Sequence, residues 1–384
     1  MIKTLAMTAN YINHHQIPLC DALYEALGEG FVYVEQRPME EERRAMGWEE
    51  EKPAYVVRAW EDRERADALI LAADVAVIGW AEREDLIEGR MRGNQPTIRI
   101  SERIYREGQW KFLSPRGLLH KYREHIRYRR GPLWMLAIGA YTASDFNLIH
   151  AYPGKLYRWG YFPPFERADE ETLFADKGQQ ATEILWAARF LPLKHPELAL
   201  HAMKELKEAG IRAHLTMIGD GELRQQAEAY CREQDLAQFV TFTGFLTPEE
   251  TRARMRGAHI FLFNSDHREG WGAVVSEAMG AGMAVIAGNE AGGPATLIRE
   301  GENGLLYRGT DQREFTDLLK QLVQDPDRRE RLGRAAYHTV SDLWNAEHAA
   351  AELLRFAEDI CAGREYEPPK EGPLSRDPGR KPYR

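Results

Sequence analysis

Two glutamates eight positions apart, Glu269 and Glu277, stand where the chain turns from loop into helix. They lie in Asn264-Ser265-Asp266-His267-Arg268-Glu269-Gly270-Trp271-Gly272-Ala273-Val274-Val275-Ser276-Glu277, after an apolar run that ends at Phe263. An ionised carboxylate accepts through two oxygens, so each could hold a pair of neighbouring hydroxyls on one ligand. Gly270 and Gly272 let the backbone approach such a ligand closely. The first N–H groups of a helix point outward with the positive end of its dipole behind them. That combination suits a phosphate or a sugar hydroxyl. Taken alone, the pair also fits a solvated loop residue beside a solvated helix residue. Glu277, however, is followed by Ala278-Met279-Gly280-Ala281-Gly282-Met283-Ala284-Val285-Ile286-Ala287, a small and apolar run. A carboxylate packed in such a helix needs a partner.

Short apolar strands alternating with longer amphipathic segments position these residues, a pattern that reads as α/β with parallel sheets. The clearest strands of the first half are Ile2–Thr8, Phe31–Val34, Ala73–Ile78 and Thr97–Ile100, with an acidic loop or helix end over Glu40–Glu51. The second half runs strand Ile184–Ala188, helix Leu198–Glu208, strand Ala213–Ile218 and helix Glu222–Glu233. Strands Val240–Thr243 and Ile260–Phe263 follow, then a helix opening near Gly272, strand Ala284–Ala287 and a helix through Phe315–Leu322. Gly160, Pro163 and Pro164 interrupt the pattern, which divides the chain into domains 1–160 and 161–343. A last amphipathic helix over 344–362 could cross back to the first domain. The tail 363–384, with five prolines among charged residues, is expected to be disordered.

At 384 residues the chain exceeds what one core supports, and its 43% apolar residues suffice for two. A net charge of −9 argues against nucleic-acid binding. Cys20, Cys231 and Cys361 fit neither a disulfide framework nor a zinc spacing, so a reducing compartment is expected. Met1–Met7 leads straight into a strand and no stretch of about 20 apolar residues occurs, so neither leader nor membrane span is expected.

The Glu269-x7-Glu277 element within EGWG…SEAMGAGMAVIA closely resembles that of family 4 glycosyltransferases of the GT-B fold. Four further stretches resemble the family in order. These are Ile184–Lys194 with its arginine and lysine, His214–Leu223 with a Gly-Asp-Gly turn, Val240–Leu246, and Gly301–Leu306. The resemblance implies two doubly wound Rossmann-like domains facing a cleft, the sugar donor bound by the second. It implies retaining transfer of a hexosyl group from a UDP- or GDP-sugar to a glycan or lipid-linked acceptor, in surface polysaccharide or glycolipid synthesis. Carried over residue by residue, Arg189 and Lys194 would clamp the donor diphosphate as it leaves, replacing a metal ion. Glu277 would accept from the ribose hydroxyls. Glu269, with the backbone of Gly270, Trp271 and Gly272, would hold the transferred sugar. Gly244-Phe245-Leu246 would flank the nucleobase. No cofactor or metal is expected. A nucleotide-sugar epimerase and an inactive scaffold of the same fold are the competing readings.

Other signals are set aside. Gly219-Asp220-Gly221 lacks the third glycine of a dinucleotide fingerprint. Asp325-Pro326-Asp327 imitates a metal-binding DxD but sits where turn residues are ordinary. In the first half, Thr8–Gln16 stands where relatives carry a glycine-rich loop, so His14 could touch a sugar or cap a helix. Glu102, after strand Thr97–Ile100, could activate the acceptor or be paired with Arg103 or another cation.

Residues 103–130 invert the overall acidity, with nine cations against Glu107 and Glu124. Leu118, Leu119, Tyr122 and Ile126 share one helical face. The segment reads either as a basic amphipathic helix on an anionic membrane surface or as a surface helix packed on its own sheet. The expected location is the cytoplasm, at the inner membrane face if this segment docks.

Overall fold

A computed structural model describes residues 2–41, 52–79, 83–177 and 181–382, so most of the acidic stretch Glu40–Glu51 lies outside the described residues. The described chain divides into two α/β units, one of residues up to Pro164 with Leu343–Pro382, the other Phe165–Asp342.

The first unit is a parallel sheet of β1 (Leu5–Ala9), β2 (Phe31–Glu35), β3 (Val56–Arg58), β4 (Val75–Gly79), β5 (Thr97–Ser101), β6 (Leu133–Ile138) and β7 (Leu156–Trp159). Their order is β3-β2-β1-β4-β5-β6-β7. β1 and β4 are wholly buried, as expected of apolar strands covered by helices on both faces. Beside the four strands read from the sequence stand β3, β6 and β7. The helix Ala346–Cys361 belongs to this unit and packs on the helix Ile17–Leu27. Its start is capped by Asn345, whose side chain accepts from the His348 N–H.

The expectation of a disordered tail fails for residues 363–382. The Leu374 and Asp377 N–H groups donate to Arg158 and Leu156, and Ser375 accepts from the Arg158 N–H. An antiparallel bridge joins Tyr157 to Arg376. β7 is an edge strand with unpaired backbone groups, and a proline-rich segment can cover such an edge because it needs few ladder bonds of its own. Tyr366 and Leu374 anchor it, buried at 4% and 0% exposure, with the Tyr366 ring 4.8 Å from that of Phe356.

The second unit is a parallel sheet of β8 (Thr182–Ala187), β9 (Ala213–Ile218), β10 (Val240–Gly244), β11 (Ile260–Phe263), β12 (Ala284–Gly288) and β13 (Leu305–Tyr307), in the order β10-β9-β8-β11-β12-β13. Its core gathers Trp186, Phe190, Leu215, Met217, Leu262, Ile286, Tyr307 and Phe315. The α/β reading of the sequence holds in both units.

Candidate functional site

In the second unit the strand order reverses between β8 and β11, and open parallel sheets bind ligands outside their carboxyl ends at such a point. Arg189 and Lys194 follow β8, while Asp266, Glu269 and Gly270 follow β11. The Lys194 ammonium and the Glu269 carboxylate form an ion pair, their side chains 14% and 20% exposed. The same ammonium lies 5.8 Å from the Phe263 ring centre.

Arg189 is exposed, on a segment that is strapped in place. The Ala188 N–H donates to Ile218, the Phe190 N–H to Asp220, and the Leu223 N–H to Phe190, at 3.1, 2.8 and 3.0 Å. The Gly-Asp-Gly turn makes this approach possible. Gly219 has φ 129°, and a β-carbon there would lie 2.0 Å from the Ala188 oxygen. The turn therefore positions Arg189's segment.

Gly272 has φ 79°, and a β-carbon on it would lie 2.4 Å from Cζ of Phe263. The helix opens at Val274, two residues later than the sequence suggests, and runs to Gly280. Trp271 is buried at 1% exposure, so what it offers outward is backbone. Gly270 and Trp271 accept from the N–H groups of Gly292 and Gly293, which fixes the loop from behind.

Glu277 faces Arg252 at 3.7 Å, with its own side chain 9% exposed. Arg252 belongs to the helix Pro248–Gly257, started by a capping box between Thr247 and Glu250. Burial pushes the Glu277 carboxyl up to about 7, with Arg252 pulling the other way. At the end of β10, Gly244 accepts from the Gly219 N–H at 2.8 Å, and the Phe245 ring is 46% exposed next to partly buried Leu246. Asp325 caps the helix Pro326–His338 by accepting from the Arg328 N–H, in keeping with its reading as a turn residue.

The first unit reverses between β1 and β4, and there it holds a small open pocket lined among others by Thr8, His15, Gly79, Ile100 and Tyr161. His14 is buried at 6% exposure with its ring centre 3.9 Å from that of His15, and it is His15 that lines the pocket. Glu102 accepts from the Tyr161 hydroxyl at 2.9 Å and pairs with Arg106. Arg103 is taken by buried Asp145 at 3.3 Å, so Glu102 pairs with another cation, Arg106, and not with Arg103.

Residues 103–130 do not form one continuous amphipathic helix. A 3-10 turn Gln109–Leu113, a helix Pro115–Lys121 and a π turn Tyr122–Ile126 follow one another. Ile126 packs toward the core. Trp110, Leu113, Leu118, Leu119 and Tyr122 are exposed, between 41% and 71%, with Arg116 and Arg123 exposed among them. The apolar stripe is thus mostly unburied rather than packed on its own sheet. No helix among the described residues is long and apolar enough to cross a membrane.

Sequence reasoning missed His15, Tyr161, Arg252 and His195. Nothing marks Arg252 among the alternating charges of Pro248–Gly257, because only the packing of that helix on the next one selects it.

The chain is similar to the GDP-mannose-dependent alpha-(1-6)-phosphatidylinositol monomannoside mannosyltransferase of Mycolicibacterium smegmatis, at 28% identity over 187 residues, 47% of this chain and 48% of that protein. It is 31% identical to the D-inositol 3-phosphate glycosyltransferase of Nocardia farcinica over 232 residues, 56% of this chain and 51% of that one. The chain thus spans about half the length of these curated relatives. Among solved structures, Anabaena Alr3699/HepE in complex with UDP matches with a TM-score of 0.64 at 14% identity, over 92% of this chain and 99% of that one. WaaG, a glycosyltransferase involved in lipopolysaccharide biosynthesis, matches with a TM-score of 0.57 at 16% identity, over 94% and 100%. These likenesses establish the fold, GT-B. Residues 169–339, which hold Arg189, Lys194, Glu269 and Glu277, match the model of the family described as glycosyl transferases group 1.

Proposed function

We propose that the protein is a retaining glycosyltransferase that moves a hexosyl group from a UDP- or GDP-sugar to a glycan or lipid-linked acceptor, in surface polysaccharide or glycolipid synthesis. The observation that carries this reading is the Lys194–Glu269 pair beside Arg189's loop, at the β8/β11 reversal and inside the segment that matches the group 1 family. In the transfer, the bond from the anomeric carbon to the β-phosphate oxygen breaks and the acceptor oxygen bonds to that carbon. The acceptor proton passes to the departing diphosphate. Negative charge grows on that diphosphate, and two fixed cations stabilise it where it grows. Glu277 takes the ribose hydroxyls, Phe245 stacks on the base, and Glu269 with the Gly270–Gly272 backbone holds the sugar. The pocket of the first unit, with Tyr161 and Glu102 at its side, would take the acceptor.

Thermal-shift screening of UDP, GDP, ADP and their sugars tests the donor. A nucleotide at about 100 times its Kd adds roughly 2.7 kcal/mol to the native state, or several degrees at roughly 2–4 °C per kcal/mol. A flat response to every one of them defeats the reading. Transferred sugar that appears on an acceptor, rather than an inverted nucleotide sugar, separates this activity from epimerisation.

The two cations lead us to expect turnover without a divalent metal. Rates should survive EDTA unchanged; activity abolished by EDTA and restored by Mg²⁺ or Mn²⁺ would show that the cation clamp is not enough.

The exposed apolar and basic residues of 103–130 support docking at the inner, anionic face of a membrane. Each cation near such a surface contributes about 1 kcal/mol, and screening shortens its reach. Binding to vesicles containing anionic lipid should fall sharply with added salt. Replacing Arg116, Arg123, Arg129 and Arg130 by Gln should release the protein at unchanged donor affinity. Wild-type protein that ignores such vesicles at low salt would leave a soluble acceptor as the reading.

A further inference from the structure

His195 sits between Lys194 and the helix Pro196–Glu208 with φ 44° and ψ 55°, a left-handed backbone that glycine adopts more readily than histidine. Its ring makes two contacts. Nδ1 lies 2.8 Å from Oε1 of Glu197, and Nε2 lies 3.1 Å from Oδ2 of Asp266. A neutral imidazole has one N–H and one lone pair, and a lone pair cannot bond a carboxylate. Both nitrogens face carboxylate oxygens, an arrangement in which both can donate only when the ring is protonated.

Asp266 is anchored independently. Its carboxylate accepts from Nε and Nη2 of Arg268 at 3.1 and 2.6 Å and from the Arg268 N–H at 2.9 Å, and its own N–H donates to the Leu193 carbonyl at 3.0 Å. Burial opposes its charge, but Arg268 and His195 prevail and hold the carboxyl at about 2. The Glu269 N–H in turn donates to the Asp266 carbonyl at 3.0 Å. His195 is thus the side chain through which the loop carrying Arg189 and Lys194 grips the residue on which Glu269 is hung.

We propose that His195 is a positioning residue of the diphosphate site, an imidazolium that ties the Lys194 loop to the Glu269 loop and places a further positive charge beside the leaving group. This rests on the donor-site reading above. The groups that meet the ring are Glu197 from the helix and Asp266 from the loop after β11; behind them His201 and Tyr307 interact with Glu197, Arg268 pairs with Asp266, and the neighbouring Lys194 pairs with Glu269. Glu197 and Asp266 raise the imidazole above its ordinary 6.5 and burial lowers it, with a net upward shift. The charge is present at low pH and lost as pH rises through that raised value.

The experiment follows kcat/KM for a nucleotide sugar from pH 7 to 9, together with the histidine ring titration by NMR. The wild-type rate should fall at least about fivefold across that window. His195→Gly keeps the left-handed turn without a β-carbon, so folding is preserved; it should be slow at pH 7 and flat to pH 9. His195→Lys should keep more of the rate than His195→Gln at pH 9. Asp266→Asn should lower the ring's titration midpoint by about one pH unit. An unchanged alkaline limb in His195→Gly, or a ring that titrates at or below 6.5, or one unmoved by Asp266→Asn, overturns the proposal. A protein that gives no thermal shift with any nucleotide sugar defeats the donor reading instead, while the ring titration still decides whether the bridge exists.

Discussion

Replacing Arg189 or Lys194 by alanine is expected to lower kcat about a hundred- to a thousandfold, the usual effect of removing one group aimed at developing charge. The two variants should differ in KM. Arg189 is exposed on a strapped segment, and its loss removes a charge from the leaving group. Lys194 also holds Glu269, so its loss leaves a carboxylate without its cation beside the sugar. The second variant should therefore raise KM as well as lower kcat. Lys204→Ala, which breaks an exposed i,i+4 pair with Glu208 on the helix Pro196–Glu208, should leave both constants unchanged. Single-turnover rates within about twofold of wild type for either variant would show that the diphosphate does not leave between these cations.

The scaffold of this site was legible in the sequence for a simple reason. β11 and β12 are continuous apolar runs and β8 is one from Ile184 onward, while β9 alternates apolar residues with His214 and Thr216; such runs mark buried parallel strands whatever surrounds them. The loop after β11 was legible because its glycines and charges break the run abruptly, whereas Arg189 and Lys194 in the loop after β8 stood out only through the resemblance to the family. What was hidden depends on contacts between segments distant in sequence. Arg90, on a short polar helix, reads as a surface charge. It is fully buried, donating to the carbonyls of Ile70, Ala73 and Pro96 and to the Thr97 hydroxyl. The tail reads as disordered because proline and charge dominate it, yet two apolar side chains and the open edge of β7 are enough to hold it. The basic segment 103–130 reads as one helix from its periodicity, but Pro115 starts a new helix behind a 3-10 turn. His195 carried no local signal at all, since its conformation and its bond to Asp266 are both tertiary.

Glu277→Gln should separate stability from donor binding, because the two respond to the same proton in opposite directions. Burial raises the Glu277 carboxyl from an ordinary 4.5 to about 7, with Arg252 only partly offsetting it. A carboxyl raised on folding stabilises the native state most while protonated. That contribution is complete below about 4.5 and disappears as pH rises through about 7. Ligand-free wild-type protein should therefore lose stability relative to Glu277→Gln between pH 5 and pH 8, by an amount on the order of 3 kcal/mol at most. Donor affinity should move the other way. A ribose diol donates two hydrogen bonds, an ionised carboxylate accepts both, and an amide has a single acceptor oxygen. Between pH 6 and pH 8 the ionised fraction rises about tenfold, and wild-type affinity for a nucleotide sugar should rise with it. Glu277→Gln should bind at least about tenfold more weakly at pH 8 and show no such rise, while single-turnover chemistry at saturating donor stays near wild type because the ribose contact is alike in ground and transition states. Calorimetric titration at pH 6, 7 and 8 with parallel melting curves reads both effects. Affinity that is flat with pH in wild-type protein, or a variant that binds as tightly at pH 8, would remove Glu277 from the ribose and leave it as a buried partner of Arg252.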